Sequence, residues 1–317
     1  MKTFIAVIIL LAVFLISLSL GSIKINPFNM TEVQESIMLR VRLPRVLMAG
    51  LIGAALSISG VLFQYVMKNP LADSFTTGVS SSSAVGAVVA ILLGLSGLIP
   101  IFALLGGLGG LYLVYNIASY RGRIQPITML LAGIVLSTFA SAVISLIKFV
   151  SDDGVSSIVF WLMGGFQSAT PIKVLLIFIA LMSSFLVIRI DYLKLDIICF
   201  DDATASGSGV DVHWMRKKLF FIAALLTAFS VGYAGIIGFV GLIIPHLIRL
   251  SGFIRASVLI PASIIIGASF MMATDLIARI ILTQGQELPV GIITSTIGGV
   301  FFMYLLLKRR KELYYFS

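Results

Sequence analysis

Asp275 and Arg279 stand four positions apart in an otherwise apolar run, the spacing that places a carboxylate and a guanidinium on one helix face. Within a membrane such a pair neutralises itself and does no proton chemistry of its own. His213 and His246 lie 33 positions apart and make no ligand pair, and His246 follows Pro245, where a helix break asks for a structural hydrogen bond. A G-x-x-x-x-G-K-[ST] nucleotide loop, H-E-x-x-H and a G-x-S-x-G elbow are all missing from the sequence. The single cysteine, Cys199, permits no intramolecular disulfide and reads as an inert thiol. No catalytic constellation, metal site or cofactor site is expected.

The elements that carry these residues are set by hydropathy. Of 317 residues, 59% are hydrophobic and 11% charged, and the mean hydropathy is +1.13. Such a chain has no ordinary amphipathic surface, so a bilayer must solvate its exterior. Roughly 20 apolar residues at about 1.5 Å each cross the hydrocarbon core. Runs of that length lie near 3–22, 46–66, 75–95, 98–119, 127–147, 172–190, 257–278 and 288–307. Lys2 ahead of the first run resembles a signal sequence, but the run is longer than a signal core and reads as a crossing.

A ninth apolar stretch, 219–248, is too long for one helix. Arg216, Lys217 and Lys218 precede it and Arg249 and Arg255 follow it, so both flanks carry the cytoplasmic signature and the stretch goes out and back. Ten crossings result, with both termini cytoplasmic. This topology places about two thirds of the basic residues inside. The net charge of +9 therefore reports orientation, and nucleic acid is not an expected partner. Two crossings from this stretch are each about 22 Å long. Gly232, Gly235 and Gly238, with Pro245 and His246 beyond them, mark a central break that must face protein or a water-filled pathway.

Small residues recur at Ala49, Gly53 and Ser57 and at Gly106 and Gly110, which permits close helix packing. Thr76, Thr77 and Ser80 to Ser83 make the third run hydroxyl-rich, as packing groups or as a polar pathway lining. No linker divides the chain, so residues 1–317 form one membrane domain.

Several strings then match a family. Arg42-Leu-Pro-Arg45, Gly53-Ala-Ala-Leu-Ser-Ile-Ser-Gly60 and Asn69-Pro-Leu-Ala72 are followed by Met129-Leu-Leu-Ala-Gly133 and Trp161-Leu-Met-Gly-Gly165. Gly238-Phe-Val-Gly-Leu-Ile-Ile-Pro-His-Leu-Ile-Arg-Leu250, Ala273-Thr-Asp-Leu-Ile-Ala-Arg279 and Glu287-Leu-Pro-Val-Gly291 complete the series in order. Together they resemble the FecCD/BtuC-type permeases of binding-protein-dependent ABC importers, which carry ferric siderophores, haem or vitamin B12.

The resemblance implies an all-α, ten-helix type II importer permease in the cytoplasmic membrane. It implies a second permease subunit, two cytoplasmic ATPase subunits and an extracytoplasmic substrate-binding protein as partners. ATP hydrolysis belongs to the separate chain, so this one is not an enzyme. Arg42, Arg45 and Arg279 correspond to external arginines that meet acidic residues of the binding protein; interfacial anchoring at a helix start is the plain alternative. The connection 191–218 occupies the place of the ATPase-coupling loop with its two short helices. Asp201, Asp202, Ala203, Ala205, Gly207 and Gly209 are its candidate contacts, although Ser208 stands where the family has leucine. Gln125, Pro126 and Ile127 match the narrow inner mouth of the pathway. An iron chelate is the expected substrate, with haem or vitamin B12 as alternatives. An ion-coupled secondary transporter is the competing class; it would need intramembrane ionisable groups beyond Asp275 and Arg279.

Overall fold

The computed structural model describes residues 2–21, 30–120, 123–151, 154–199, 202–282 and 286–308. Its core is one long helix. Residues 32–67 run continuously through α2 (Glu32–Ile37), a π-helical turn (Met38–Arg42) and α3 (Leu43–Met67). Pro44 has no amide hydrogen to donate to the preceding turn, and the π turn lies immediately before it. Arg42 and Arg45 thus sit inside a continuous helix, not at the helix start that the sequence had implied. Their side chains point into the bundle.

Around this helix lie α1 (Lys2–Ser19), α4 (Val79–Leu92), α5 (Ile99–Ala118), α6 (Pro126–Val150), α8 (Pro171–Arg189), α11 (Val212–Ala234), α12 (Val240–Leu250), α13 (Ala256–Ile280) and α14 (Val290–Lys308). Short helices α7 (Val155–Leu162), α9 (Tyr192–Ile198) and α10 (Asp202–Gly207) connect them, and a two-residue hairpin pairs β1 (Ser119–Tyr120) with β2 (Arg123–Ile124). Among the described residues, seven helices are long and apolar enough to cross a bilayer, and Phe4–Ser19, Val79–Leu92 and Val240–Leu250 are shorter apolar helices. The architecture is an all-α membrane bundle.

α3 is buried nearly all round, whereas α6, α8 and α14 expose most of their apolar surface. Lipid tails give two apolar helices no hydrophobic reason to associate, so close contact must come from backbone approach. Such approach is visible at Gly60, where a Cβ would fall 2.1 Å from the Gly241 carbonyl oxygen of α12. The Gly53 side of the same seam meets Gly267 of α13 in the same way. Small-residue spacing in α3 is therefore the determinant of the central packing.

Two expectations about helix limits are corrected. The stretch 219–248 does not divide into equal short halves: α11 begins at Val212 and runs for 23 residues, about 34 Å, while α12 has 11 residues, about 16 Å. The basic cluster does not stop α11, because Asp211 accepts from the Trp214 amide as an N-cap and Arg216 turns inward to an ion pair. Gly232 lies inside α11, and the break is confined to Gly235–Phe239. At Gly235 φ is +72° and a Cβ would sit 2.1 Å from the Trp161 carbonyl oxygen, so only glycine ends the helix there. Similarly, the third apolar run becomes helical only at Val79. Before it, Asp73 Oδ1 accepts from the amides of Phe75 and Thr76 and holds a non-helical turn.

Candidate functional site

At one end of the bundle three guanidinium groups converge on two carboxylates. Asp275 is fully buried, and its Oδ1 accepts from Arg45 Nε at 3.0 Å and Nη2 at 2.9 Å. Its Oδ2 lies 3.1 Å from Arg279 Nε. Arg45 Nη1 also donates to Glu287 Oε2 at 2.8 Å, from the segment that leads into α14. The expected Asp275–Arg279 pair is present, and it is half of a larger network.

The remaining donors saturate the end of α1. Arg279 Nη2 and Nη1 donate to the carbonyls of Ser17 and Leu20, both at 3.1 Å. Arg42 Nη1 donates to those of Leu18 at 3.0 Å and Ser19 at 3.2 Å. A helix leaves its last carbonyls unpaired and carries partial negative charge there, so cations are the natural cap. Burial follows from this arrangement: Arg42, Arg45 and Arg279 are only 6%, 7% and 4% exposed. Arg42 and Arg279, which the resemblance assigns to binding-protein contact, lie against the end of α1. Glu287 and the α1 carbonyls were not recognised as partners: Glu287 lies 242 positions from Arg45 and Leu20 lies 259 from Arg279, while Leu18 and Ser19, 24 and 23 positions from Arg42, belong to a different helix.

The opposite end carries the connection between α8 and α11, residues 190–211, shorter than the expected 191–218 because Arg216, Lys217 and Lys218 already belong to α11. α9 and α10 supply two short helices there, and each is tied to the bundle by a carboxylate. Asp202 accepts from Lys68 Nζ at 2.8 Å, just beyond α3, and from both Arg216 Nη atoms of α11 at 2.8 and 2.9 Å. Asp191 pairs with Lys218 and, at 3.1 Å, with Lys194. Asp196 Oδ1 accepts from the Ala256 amide at the start of α13, at 2.7 Å. Of the candidate contact residues, Ala203, Gly207 and Gly209 are exposed, Ala205 is buried and faces inward, and Asp201 lies outside the described residues. A cavity of about 730 Å³ opens beside α10, lined by Ala203, Ser206, His213 and Arg216 among others. Burial pushes the nearby Cys199 thiol up to about 11, in keeping with an inert thiol.

Asp202 and Asp191 titrate below the usual carboxylate range. Burial alone would raise them, but hydrogen bonds and ion pairs from Lys68 and Arg216 to Asp202, and from Lys218 and Lys194 to Asp191, outweigh it. A carboxylate whose folded value is depressed holds its tether fully above the unfolded value, near about 3.9, and loses it as pH falls through the folded value. Accordingly, Asp202→Asn should speed hydrogen exchange of the α10 amides at neutral pH. The difference from wild type should vanish under acid conditions, where both chains lack the charge.

Between the two ends, Phe75, Thr76, Ser81, Ser137, Thr138, Ser141 and Ile236 line an open groove of about 380 Å³. The hydroxyl-rich run divides here. Ser81 Oγ donates to Ser137 Oγ at 3.2 Å in the groove, while Ser82 and Ser83 are buried against Gly110 and Gly107 of α5 as packing groups. At the start of α6, Gln125 and Ile127 are exposed and Pro126 is the first helical residue. His246 packs edge-on to Phe301 at 6.0 Å, Pro245 is buried inside α12, and Gly238 lies against the Phe75 ring. Among the described residues no cluster of three metal-ligating side chains occurs.

A polytopic helical bundle with a charged network at one end, a clamped pair of short helices at the other and no nucleotide loop has the form of a transport subunit. The model of the FecCD transport family matches residues 9–308. The cobalamin import system permease protein BtuC of Halobacterium salinarum is 36% identical over 89% of this chain and 76% of its own length. The molybdate import system permease protein MolB of Haemophilus influenzae is 34% identical over 91% and 86%. A solved metal-chelate type ABC transporter, in an inward-facing conformation, superposes with a TM-score of 0.88 at 33% identity, over 96% of this chain and 98% of that one. PsaBC of Streptococcus pneumoniae, at 16% identity and a TM-score of 0.62, shares the fold.

This chain belongs to the FecCD transport family. It is a multi-pass membrane permease of an ABC importer, and ATP hydrolysis lies on a separate subunit in these systems.

Proposed function

We propose that the chain is the membrane subunit through which an organic metal chelate is imported, driven by two cytoplasmic ATPase subunits and supplied by an extracytoplasmic binding protein. The observation that carries this reading is the clamp on α9 and α10. A motor on another chain moves a pathway only through a contact that differs between the motor's states, and a lever must be stiff to transmit that difference. Asp202, Asp191 and Asp196 fasten the two short helices to α3, α11 and α13 at once. In this reading Asp201, Asp202, Ala203, Gly207 and Gly209 face the ATPase, with Ala205 anchoring the helix from inside. Gln125, Pro126 and Ile127 form the inner mouth, and a second permease subunit completes the pathway. Both termini lie in the cytoplasm.

An iron chelate is the proposed cargo, with haem or vitamin B12 as alternatives in the same class; the relatives named for cobalamin and molybdate keep the metal-chelate and oxyanion classes both in view. Arg42, Arg45 and Arg279 are proposed to set the charge of the binding-protein platform from beneath the end of α1. Arg42→Gln keeps a donor for the α1 carbonyls and removes the charge, so binding-protein retention should weaken and its salt dependence flatten. Unchanged retention would move the platform elsewhere. The function itself is tested by reconstituting the permease with its ATPase and binding protein in liposomes. Loaded binding protein should stimulate hydrolysis and chelate should accumulate. Accumulation that ignores ATP and collapses with the proton gradient would establish a secondary transporter instead.

A further inference from the structure

The groove between α4 and α6 lies at mid-depth and is walled by non-helical backbone. Ser137 is close to the middle of the 25-residue α6, and its Oγ donates to the Phe75 carbonyl at 2.7 Å. Phe75 and Thr76 belong to the turn before α4, and Ile236 to the break between α11 and α12. Irregular backbone at that depth is stable only where protein covers it or water reaches it. Hydrocarbon is therefore not the natural neighbour of this wall.

Its polar character is one-sided. Thr76 Oγ1 donates to Asp73 O at 3.1 Å, Ser81 Oγ to Ser137 Oγ at 3.2 Å and Ser137 Oγ to Phe75 O. Thr138 Oγ1 donates to Ile134 O at 3.1 Å and Ser141 Oγ to Ser137 O at 2.9 Å. A hydroxyl has one hydrogen and two lone pairs. Each of these five hydroxyls has an acceptor within the protein and lone pairs to spare, so the wall is rich in acceptor oxygens. No Lys, Arg or His lines it. Asp73, the carboxylate beneath it, is 6% exposed and directs Oδ1 to the amides of Phe75 and Thr76. An anion in this groove would meet hydroxyl and carbonyl lone pairs and no cationic side chain, and an anion desolvated without a charged partner is strongly disfavoured.

We propose that this groove is a transit subsite for chelates whose outer surface carries uncharged amide N–H or hydroxyl groups, and that it rejects oxyanions and chelates with free carboxylates. The proposal rests on the importer reading and deepens it, because it selects a substrate class that the relatives leave divided. Binding is weak by construction, since neutral hydroxyl acceptors hold a donor without trapping it, which suits a pathway that must release its cargo.

The test uses the complete importer with Ser141→Cys in a Cys199→Ser background, and reads the rate of labelling by a small uncharged, water-soluble maleimide. A neutral ferric trihydroxamate bearing amide N–H groups should slow labelling at least threefold. Molybdate and a ferric tricarboxylate, at equal concentration, should leave the rate unchanged. Adding Thr138→Lys supplies donors and charge, and should transfer protection to the anions. Equal or better protection by the anions without that lysine overturns the proposal, as does labelling only by a membrane-soluble reagent, which would put the groove against lipid. Loss of ATP-driven import with every chelate, while labelling still follows this pattern, would count against the importer reading and leave the groove chemistry standing.

Discussion

Asp275→Ala should destabilise the folded chain by about 3–5 kcal/mol, the range expected when one partner of a buried ion pair is removed. The size follows from what the aspartate neutralises. It is fully buried between Arg45 and Arg279, which are themselves 7% and 4% exposed. Without it, Glu287 and the α1 carbonyls are the partners left to two desolvated guanidinium groups. Asp275→Asn keeps the shape and one acceptor oxygen and should cost less. The double variant Arg45→Leu, Asp275→Leu should recover much of the loss, because an apolar replacement of a whole pair avoids desolvation on both sides. Thermal unfolding in detergent of the single and double variants gives the coupling directly. A cost below about 1 kcal/mol for Asp275→Ala would show the cluster to be effectively solvated, as exposed pairs are.

The same cluster shows what a sequence can and cannot disclose. Asp275 and Arg279 were readable as partners because they are four residues apart on one helix, and the apolar runs disclosed the helical bundle because bilayer thickness fixes their length. The glycine spacing in α3 likewise disclosed close packing. Lys68 and Asp202, by contrast, are 134 positions apart, and nothing local marks one as the other's partner. The length of α11 was hidden for a related reason: Arg216 looks like a cytoplasmic flank in sequence, yet it is buried within the helix and paired with Asp202. The groove was half legible. Its hydroxyls could be counted, but the contacts that join the two walls could not, since Ser137 donates to Phe75 O 62 positions away and Ser81 to Ser137 56 positions away.

Ala203→Arg should leave the membrane bundle folded and abolish the coupling of ATP hydrolysis to import. Ala203 is exposed on α10, between Asp202, which holds the helix to Lys68 and Arg216, and the buried Ala205. A long cationic side chain at this position extends away from the bundle, so the tethers remain. It occupies the surface that would pack against the motor, and a bulky charge forced into an interface costs about 2 kcal/mol or more, roughly a thirtyfold loss of productive contact. Ala205→Arg is the informative contrast: at 0% exposure that residue has no room, and the variant should fail to fold. The measurement pairs co-purification of the ATPase subunits with hydrolysis stimulated by loaded binding protein and with chelate uptake. For Ala203→Arg all three should fall while the unfolding temperature stays at the wild-type value. Retained stimulation and uptake would shift the transmitting surface to the segment from His246 to Arg255, the end of α12 and its turn into α13.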